Sequence, residues 1–341
     1  MTRIALAALL LLAANVQPAF AQNPSQNPLQ NPPQNLTSSS PEALSWLQKV
    51  AAAPRKYNYV GTFVYSSNGD IETSRITHLV NDEGEHEKSE VLDGSPREII
   101  RNNDEVRCYL PESKTVVTEK RWQRKVFPAL LPQPLSNLDE NYVIRLGGQE
   151  RVSDYPCQVI ELEPRDDRRY GQKLWVDPDT GLILKAAVMD KDRVVEQFVF
   201  TQLKIGGSID KALLKSRYAS KAAEWRTTNL VSSTMGSGKL GWQIKDPPAG
   251  FKKIIEMKRN LSGKSTPINH IALSDGLAAV SVFIEPVSKH TSPPAEGLYH
   301  GRGAINIYTR TVSDNIVTTV GEVPPATVMQ IGNSVASHRV D

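Results

Sequence analysis

The residues here whose types most readily do chemistry are six histidines, at 78, 86, 270, 290, 300 and 338, and two cysteines, Cys108 and Cys157. The histidines lack metal-ligand spacing. The nearest approach, Glu85-His86-Glu87, reads as a solvated turn. The run MGSGKLG at 235–241 imitates a phosphate-cradling loop but fails its pattern. Ser233 stands where the first glycine belongs, and Leu240 replaces the hydroxyl that would hold magnesium. No H-E-x-x-H and no G-x-S-x-G occurs, and neighbouring acids such as Asp166 and Asp167 diverge on a strand. The expectation is therefore a chain that is not an enzyme and carries no cofactor or metal. In an oxidising compartment Cys108 and Cys157 could pair, contributing roughly 4 kcal/mol by loop closure. Two separate buried thiols are the other reading.

The chain ends set the compartment in which these residues work. MTRIALAALLLLAANVQPAFA offers Arg3, an apolar stretch over 4–16 and a small-x-small ending at Ala19-Phe20-Ala21. That predicts a signal peptide over 1–21, cleaved before Gln22, and a secreted mature chain. No lipidated cysteine follows, and no later segment reaches the ~20 apolar residues of a membrane helix. Residues 22–40, rich in Gln, Asn and Pro, cannot bury a core and read as a disordered tether. The net charge of +3 is too weak for a nucleic-acid binder. Two local basic clusters occur, RWQRK at 121–125 and RDDRR at 165–169, and solvated surface charge is the plain reading of each alone.

The elements that must position these residues are mostly strands. Ser40 caps a helix whose Pro41 sits at the first position; Leu44, Leu47, Val50 and Ala51 form its stripe and Pro54 stops it. Strand-like runs follow at 57–65, 71–80, 97–101, 105–110, 115–119, 142–146, 157–163, 172–176, 182–188 and 194–203, with short turns that argue an antiparallel meander. The apolar, proline-rich stretch at 126–138 suits a loop or short helices lying over the sheet. Three segments result: 41–206 as a first domain, 207–240 as an interdomain linker, and 241–341 as a smaller β domain ending in a helix. The hairpin YGQKLWVDPDTGLILKAAVMD at 170–190 is apolar on both faces, although helices are few. A strongly curled sheet solves this, since its concave face covers itself. Its interior would then be lined by Tyr59, Phe63, Tyr65, Trp175, Phe198 and Phe200, with Phe127, Leu130 and Leu131 as a lid. The same residues would equally serve as a filled core; periodicity does not separate the two.

The stretch VSDYPCQVIELEPRDDRRYGQKLWVDPDTGLILKAAVMDKDRVVEQF at 152–198 resembles the RseB/MucB family of periplasmic negative regulators of the envelope-stress sigma factor. GTFVY at 61–65, LSDGLAAVSVFIEP at 273–286 and VGEVPPATVMQIGNSV at 320–335 are similar to family segments in the same order. The resemblance covers essentially the mature chain. It implies an α+β chain of two mainly antiparallel domains, the first an open half-barrel like LolA and LolB with helices over an apolar cavity. It implies a periplasmic location and a partner, the periplasmic domain of an RseA/MucA-type anti-sigma factor, which the protein would shield from site-1 proteolysis. Lipid or lipopolysaccharide would be the releasing signal. On charge and position, Arg121, Arg124, Lys125, Arg165, Arg168 and Arg169 are the basic rim for its phosphates. Cys157 matches a family cysteine and Cys108 does not. A periplasmic lipid or lipoprotein carrier is the alternative, less favoured because a shuttle has no evident need for residues 241–341. A hydrolase with an unfamiliar site ranks third. The oligomeric state, a homo-oligomer included, stays open.

Overall fold

The computed structural model describes residues 38–120, 127–131, 135, 138–230, 232–233, 241–259, 267–287 and 294–337. Helix α1 (Pro41–Ala52) begins where the capping residues place it: the Ser40 hydroxyl accepts from the Ala43 N–H at 3.0 Å. Its Ala43, Leu47 and Val50 are buried, and a 3-10 turn, Ala53–Arg55, ends it at the expected proline.

Twelve strands then form one open sheet. They are β1 (Tyr59–Ser67), β2 (Asp70–Asn81), β3 (Gly84–Val91), β4 (Glu98–Asn102), β5 (Glu105–Leu110), β6 (Thr115–Lys120), β7 (Tyr142–Val152), β8 (Tyr155–Pro164), β9 (Gly171–Val176), β10 (Ile183–Asp190), β11 (Arg193–Ile205) and β12 (Arg226–Leu230). A four-residue helix, α2 (Leu138–Asn141), leads into β7. The order is β12-β6-β5-β4-β3-β2-β1-β11-β10-β9-β8-β7, antiparallel except that β12 runs parallel to β6. Long-range pairing of β1 with β11 joins two meanders. The sheet curls without closing. The Tyr155 hydroxyl at the start of β8 donates to the Leu203 carbonyl of β11 at 3.0 Å, and Ser153 donates to the Phe200 carbonyl, although β9 and β10 lie between those strands.

Both faces of this sheet are covered. In the β9–β10 hairpin Leu174, Val176, Leu182, Ile183 and Leu184 are all buried, in a core shared with α1, Phe127, Leu131 and Leu277 of the second domain. The stretch expected as the interdomain linker supplies further cover. Residues 208–225 form a strap with 3-10 turns at Lys211–Leu214 and Lys221–Glu224, then continue into β12. Tyr218, Ala222 and Trp225 pack on Ile100, Tyr109 and Val116.

The second sheet contains β13 (Ser232–Ser233), β15 (Lys252–Arg259), β16 (Ile268–Ser274), β17 (Ala279–Pro286), β18 (Gly297–His300), β19 (Asn306–Val312) and β20 (Asn315–Gly321), in the order β13-β15-β16-β17-β20-β19-β18. A small pair, β14 (Trp242–Ile244) and β21 (Val335–Ser337), stands beside it. Helix α3 (Pro325–Ser334) turns Val328 and Ile331 into a core with Ile271, Val280, Val282 and Val317. The architecture is thus α+β, two mainly antiparallel sheets with few helices, the smaller one carrying the terminal helix. From Thr37 onward the chain clusters as one compact unit.

Candidate functional site

The expected aromatic lining does converge, but around a plug. On β1, Phe63 lies opposite Phe200 of β11, and Tyr65 opposite Phe198. Phe127, from the proline-rich segment, enters between them and is 1% exposed. Its ring centroid stands 5.2 Å from that of Phe63, 4.9 Å from Phe200 and 5.5 Å from Phe198, the last pair stacked at 11°. Leu131 is buried and Leu130 half-buried against the same core. At these separations the rings are in contact. The hollow the sequence suggested is therefore filled by its own lid here.

Two expected lining residues stand elsewhere. Trp175 pairs with Lys185, which pairs with Val199, so Trp175 points to the face opposite Phe198 and Phe200. There its indole N–H donates to Glu150 at 2.6 Å and Lys185 Nζ sits 4.1 Å over its ring. Tyr59 shares the Phe63 face but stacks on His78, centroids 4.6 Å apart. Its pKa is pushed well above the ordinary value, chiefly by burial and then by Glu87.

The basic rim divides. Arg121, Arg124 and Lys125 lie outside the described residues. Arg165 is exposed and donates to the Asp139 carbonyl at 3.0 Å; Arg168 pairs with Asp167 at 3.1 Å. Arg169 is no rim residue. It is 3% exposed and its guanidinium reaches Asp166 at 2.9 Å, Asp275 of the second domain at 2.7 Å and the Ala249 carbonyl at 2.5 Å. Burial opposes its charge, but Asp166 and Asp275 outweigh that and raise its pKa. The disulfide is corrected as well. Cys108 on β5 and Cys157 on β8 form no disulfide, and seven strands stand between theirs in the sheet order. Burial pushes the Cys157 thiol up to about 11, so it stays protonated.

What sequence reasoning missed is the junction between the two sheets. Asp275 is its hub on one side. One carboxylate oxygen accepts from the Leu277 and Ala278 N–H groups at 2.8 and 2.6 Å; the other takes Arg169 and the Tyr142 hydroxyl, the latter at 3.0 Å. Asn141 donates to the Asp275 carbonyl at 2.9 Å, and Thr327 of α3 donates to the Arg168 carbonyl at 2.7 Å. Glu196 is the hub on the other side, accepting from the Tyr65 hydroxyl at 3.0 Å and the Ala304 N–H at 3.1 Å. Arg302 stacks 4.4 Å over the Tyr65 ring and pairs with Glu72 at 2.9 Å. Burial, then Glu196, pushes the Tyr65 hydroxyl up to about 12, which keeps it a donor. Gly250 (φ +82) and Gly303 (φ +68) let the second domain's backbone come this close, since a Cβ at either would run into Asn141 or Glu196. The signal for this lay in the Ser-Asp-Gly of residues 274–276, which reads as an ordinary turn unless its aspartate is known to be buried.

Tyr65 thus belongs to both assemblies. Its ring lies 4.9 Å from Phe198 of the aromatic cluster, and its hydroxyl belongs to the junction. Among the described residues no group of His, Cys, Asp or Glu is arranged to hold a metal ion.

Comparison with known proteins places this architecture. Residues 42–218 match the model of the MucB/RseB N-terminal domain and residues 236–336 that of the MucB/RseB C-terminal domain. The sigma factor AlgU regulatory protein MucB of Pseudomonas aeruginosa is 30% identical over 299 residues, spanning 86% of this chain and 90% of that one. The sigma-E factor regulatory protein RseB of Escherichia coli is 24% identical over 301 residues, 87% of this chain and 92% of that one. The solved complex of Pseudomonas aeruginosa MucA and MucB matches at TM-score 0.69 and 29% identity, over 88% of this chain and 100% of the other. A crystal structure of MucB alone matches at TM-score 0.63 and 29% identity, over 88% and 99%. With both domain models matched in order over one continuous architecture, this chain belongs to the MucB/RseB family.

Proposed function

We propose that this protein is a periplasmic regulator that binds the periplasmic segment of a membrane anti-sigma factor, shields that segment from site-1 proteolysis, and lets go when envelope lipid arrives. The observation that carries the reading is the likeness, over most of both chains, to MucB solved together with the periplasmic part of MucA, at TM-score 0.68 and 29% identity. Regulation requires that lipid and partner bind with unequal preference for two states of the protein, and the coupling is reciprocal. Phe127 and Tyr65 supply a route for it. An acyl chain entering the aromatic cluster competes with the Phe127 ring for the same space. Moving that ring disturbs Phe198, and through it Tyr65, whose hydroxyl and ring hold Glu196 and Arg302 at the junction. A segment bound across both sheets would feel that change.

The test is limited proteolysis of a MucA-type periplasmic segment mixed with the mature protein, with and without lipopolysaccharide. Protection that lipopolysaccharide abolishes is expected. Equal cleavage with and without the protein overturns the shielding; protection unmoved by lipopolysaccharide overturns the lipid signal.

A further inference from the structure

A second concavity lies on the opposite side of the large sheet from the aromatic cluster, under the strap. The strap is fastened at both ends. At its start the Asn58 side chain donates to the Gly207 carbonyl at 3.0 Å and Lys211 pairs with Glu83 at 3.0 Å. Further along, Glu98, fully buried, accepts from the Ser216 hydroxyl at 2.6 Å and pairs with Arg217 at 3.0 Å and Lys88 at 3.1 Å. Between these fastenings the strap stands off the sheet and leaves a cleft of about 340 Å³. That is space for roughly eleven waters, at the lower end of the range for small-molecule sites.

The walls of the cleft have a chemistry. Its floor is apolar, with Leu79, Ile100 and Tyr109 each at most 8% exposed, and Leu214 faces them from the strap. Of the basic side chains around it, Lys211 pairs with Glu83 at 3.0 Å and Arg107 turns its Nε to Glu105 at 2.7 Å, which leaves the Lys215 ammonium and the outer nitrogens of Arg107 for a ligand. Lys211 also holds the Glu83 carboxyl below its ordinary pKa, so the acid stays ionised and engaged. His86 donates through Nδ1 to the Asn102 side-chain oxygen at 2.9 Å, so Nε2 of the neutral ring, 4.0 Å from a Glu83 oxygen, is an acceptor and no place for an anion. A neutral ligand would leave Lys215 and the outer Arg107 nitrogens to water, and a bare inorganic anion would leave the apolar floor wet.

We infer that the cleft under the strap binds a small amphipathic anion, a carboxylate or phosphate monoester with a short apolar body. The head meets Lys215 and Arg107; the body lies on Tyr109 and Leu79 beneath Leu214. The space is too small for a lipid with several chains, so this is a different site from the aromatic cluster and does not depend on the anti-sigma reading. A bound anion would bridge strap and sheet and raise the strap's resistance to opening by simple linkage.

The test titrates the full mature chain with octanoate and hexyl phosphate, followed by amide chemical shifts and calorimetry, with octanol and inorganic phosphate as controls. Saturable binding is expected for both anionic probes, with shifts at Leu79, Tyr109 and Leu214 and at least tenfold weaker binding of each control. The double substitution Arg107→Ala and Lys215→Ala, both at exposed side chains, should weaken the anionic probes at least tenfold without changing the unfolding midpoint. Leu214→Trp, filling the cleft from the strap side, should abolish binding. Octanol binding as tightly as octanoate overturns the proposal, and so does unchanged affinity in the double variant or the lack of saturable binding by either anion. Shifts confined to Phe63, Phe127 and Phe198 would assign the probes to the aromatic cluster and equally overturn it.

Discussion

The two halves of the twelve-stranded sheet are built from different materials. Strands β1 and β7 to β11 hold their side of the core with rings and aliphatic chains: Phe200, Ile144, Ile160, Leu162 and Leu174 are all at most 1% exposed. Strands β2 to β5 bury charge. His78 stands 3.4 Å from Glu87 and 2.7 Å from the Pro54 carbonyl, Arg101 reaches Glu85 and Glu87 at 3.1 and 3.6 Å, and Glu98 gathers Lys88 and Arg217. Area burial stabilises the first half at about 25 cal/mol per Å² with little directional demand. The second half gains little net energy, because desolvation offsets much of each buried pair. Its ion pairs do something burial alone does not: they fix where the strap and the helix end attach. The apolar half therefore supplies stability and the ionic half supplies geometry.

Substitutions can break that contrast, beginning with the largest effect. Phe200→Ala should cost about 3–5 kcal/mol in urea unfolding, as a ring lost from a packed core does. A loss below about 1 kcal/mol would mean the cluster is loosely packed. Asp275→Ala, at the junction, leaves Arg169 buried with Asp166 as its remaining anion, and should cost about 2–3 kcal/mol. Replacing both members, Arg169→Met with Asp275→Leu, should recover part of that, and a cycle with no coupling would remove the pair from the account. In the ionic half, Glu98→Gln should cost about 1–2 kcal/mol, since Lys88 and Arg217 keep partial access to water. Its larger mark should be faster hydrogen exchange at Ala219 and Trp225, with the apolar half unchanged.

The smallest effect is a pH dependence. Burial raises the Glu196 carboxyl above its ordinary value of 4.5. A raised folded-state value means the folded chain holds that proton more tightly than the unfolded one. Its contribution is therefore complete below 4.5 and is lost as pH rises through the folded-state value. Glu196→Gln, which cannot ionise, should flatten that decline in a series of thermal unfolding midpoints. An unchanged slope would show that Glu196 does not titrate in this window.

The apolar half was the legible half. Period-two runs, the Ser40-Pro41 start of α1 and the turn at residues 177–181 identify strands and helix because their cause is local. The aromatic residues of β1 and β11 were legible as a group but not as a filled group. Whether Phe127 occupies the space depends on a long-range docking that no spacing encodes. Trp175 was placed on the wrong face because Leu174, Trp175 and Val176 are all apolar, and a strand apolar on both sides carries no alternation that says which residue shares the face of Phe198. The junction was illegible for a related reason. Asp275, Glu196 and Arg169 look like surface charge in sequence, and only the approach of a second sheet buries them. The polar text of residues 208–225 likewise resembles a linker until Glu98 and the Ile100–Tyr109 surface are known to lie beneath it.

The most direct test of the coupling uses a single fluorine label on the ring of Phe127 in the mature protein, read by nuclear magnetic resonance while lipopolysaccharide is titrated into the complex with a MucA-type periplasmic segment. A second resonance should grow in, with a population that tracks the loss of partner affinity. Release of the segment while Phe127 keeps its one buried environment would contradict it.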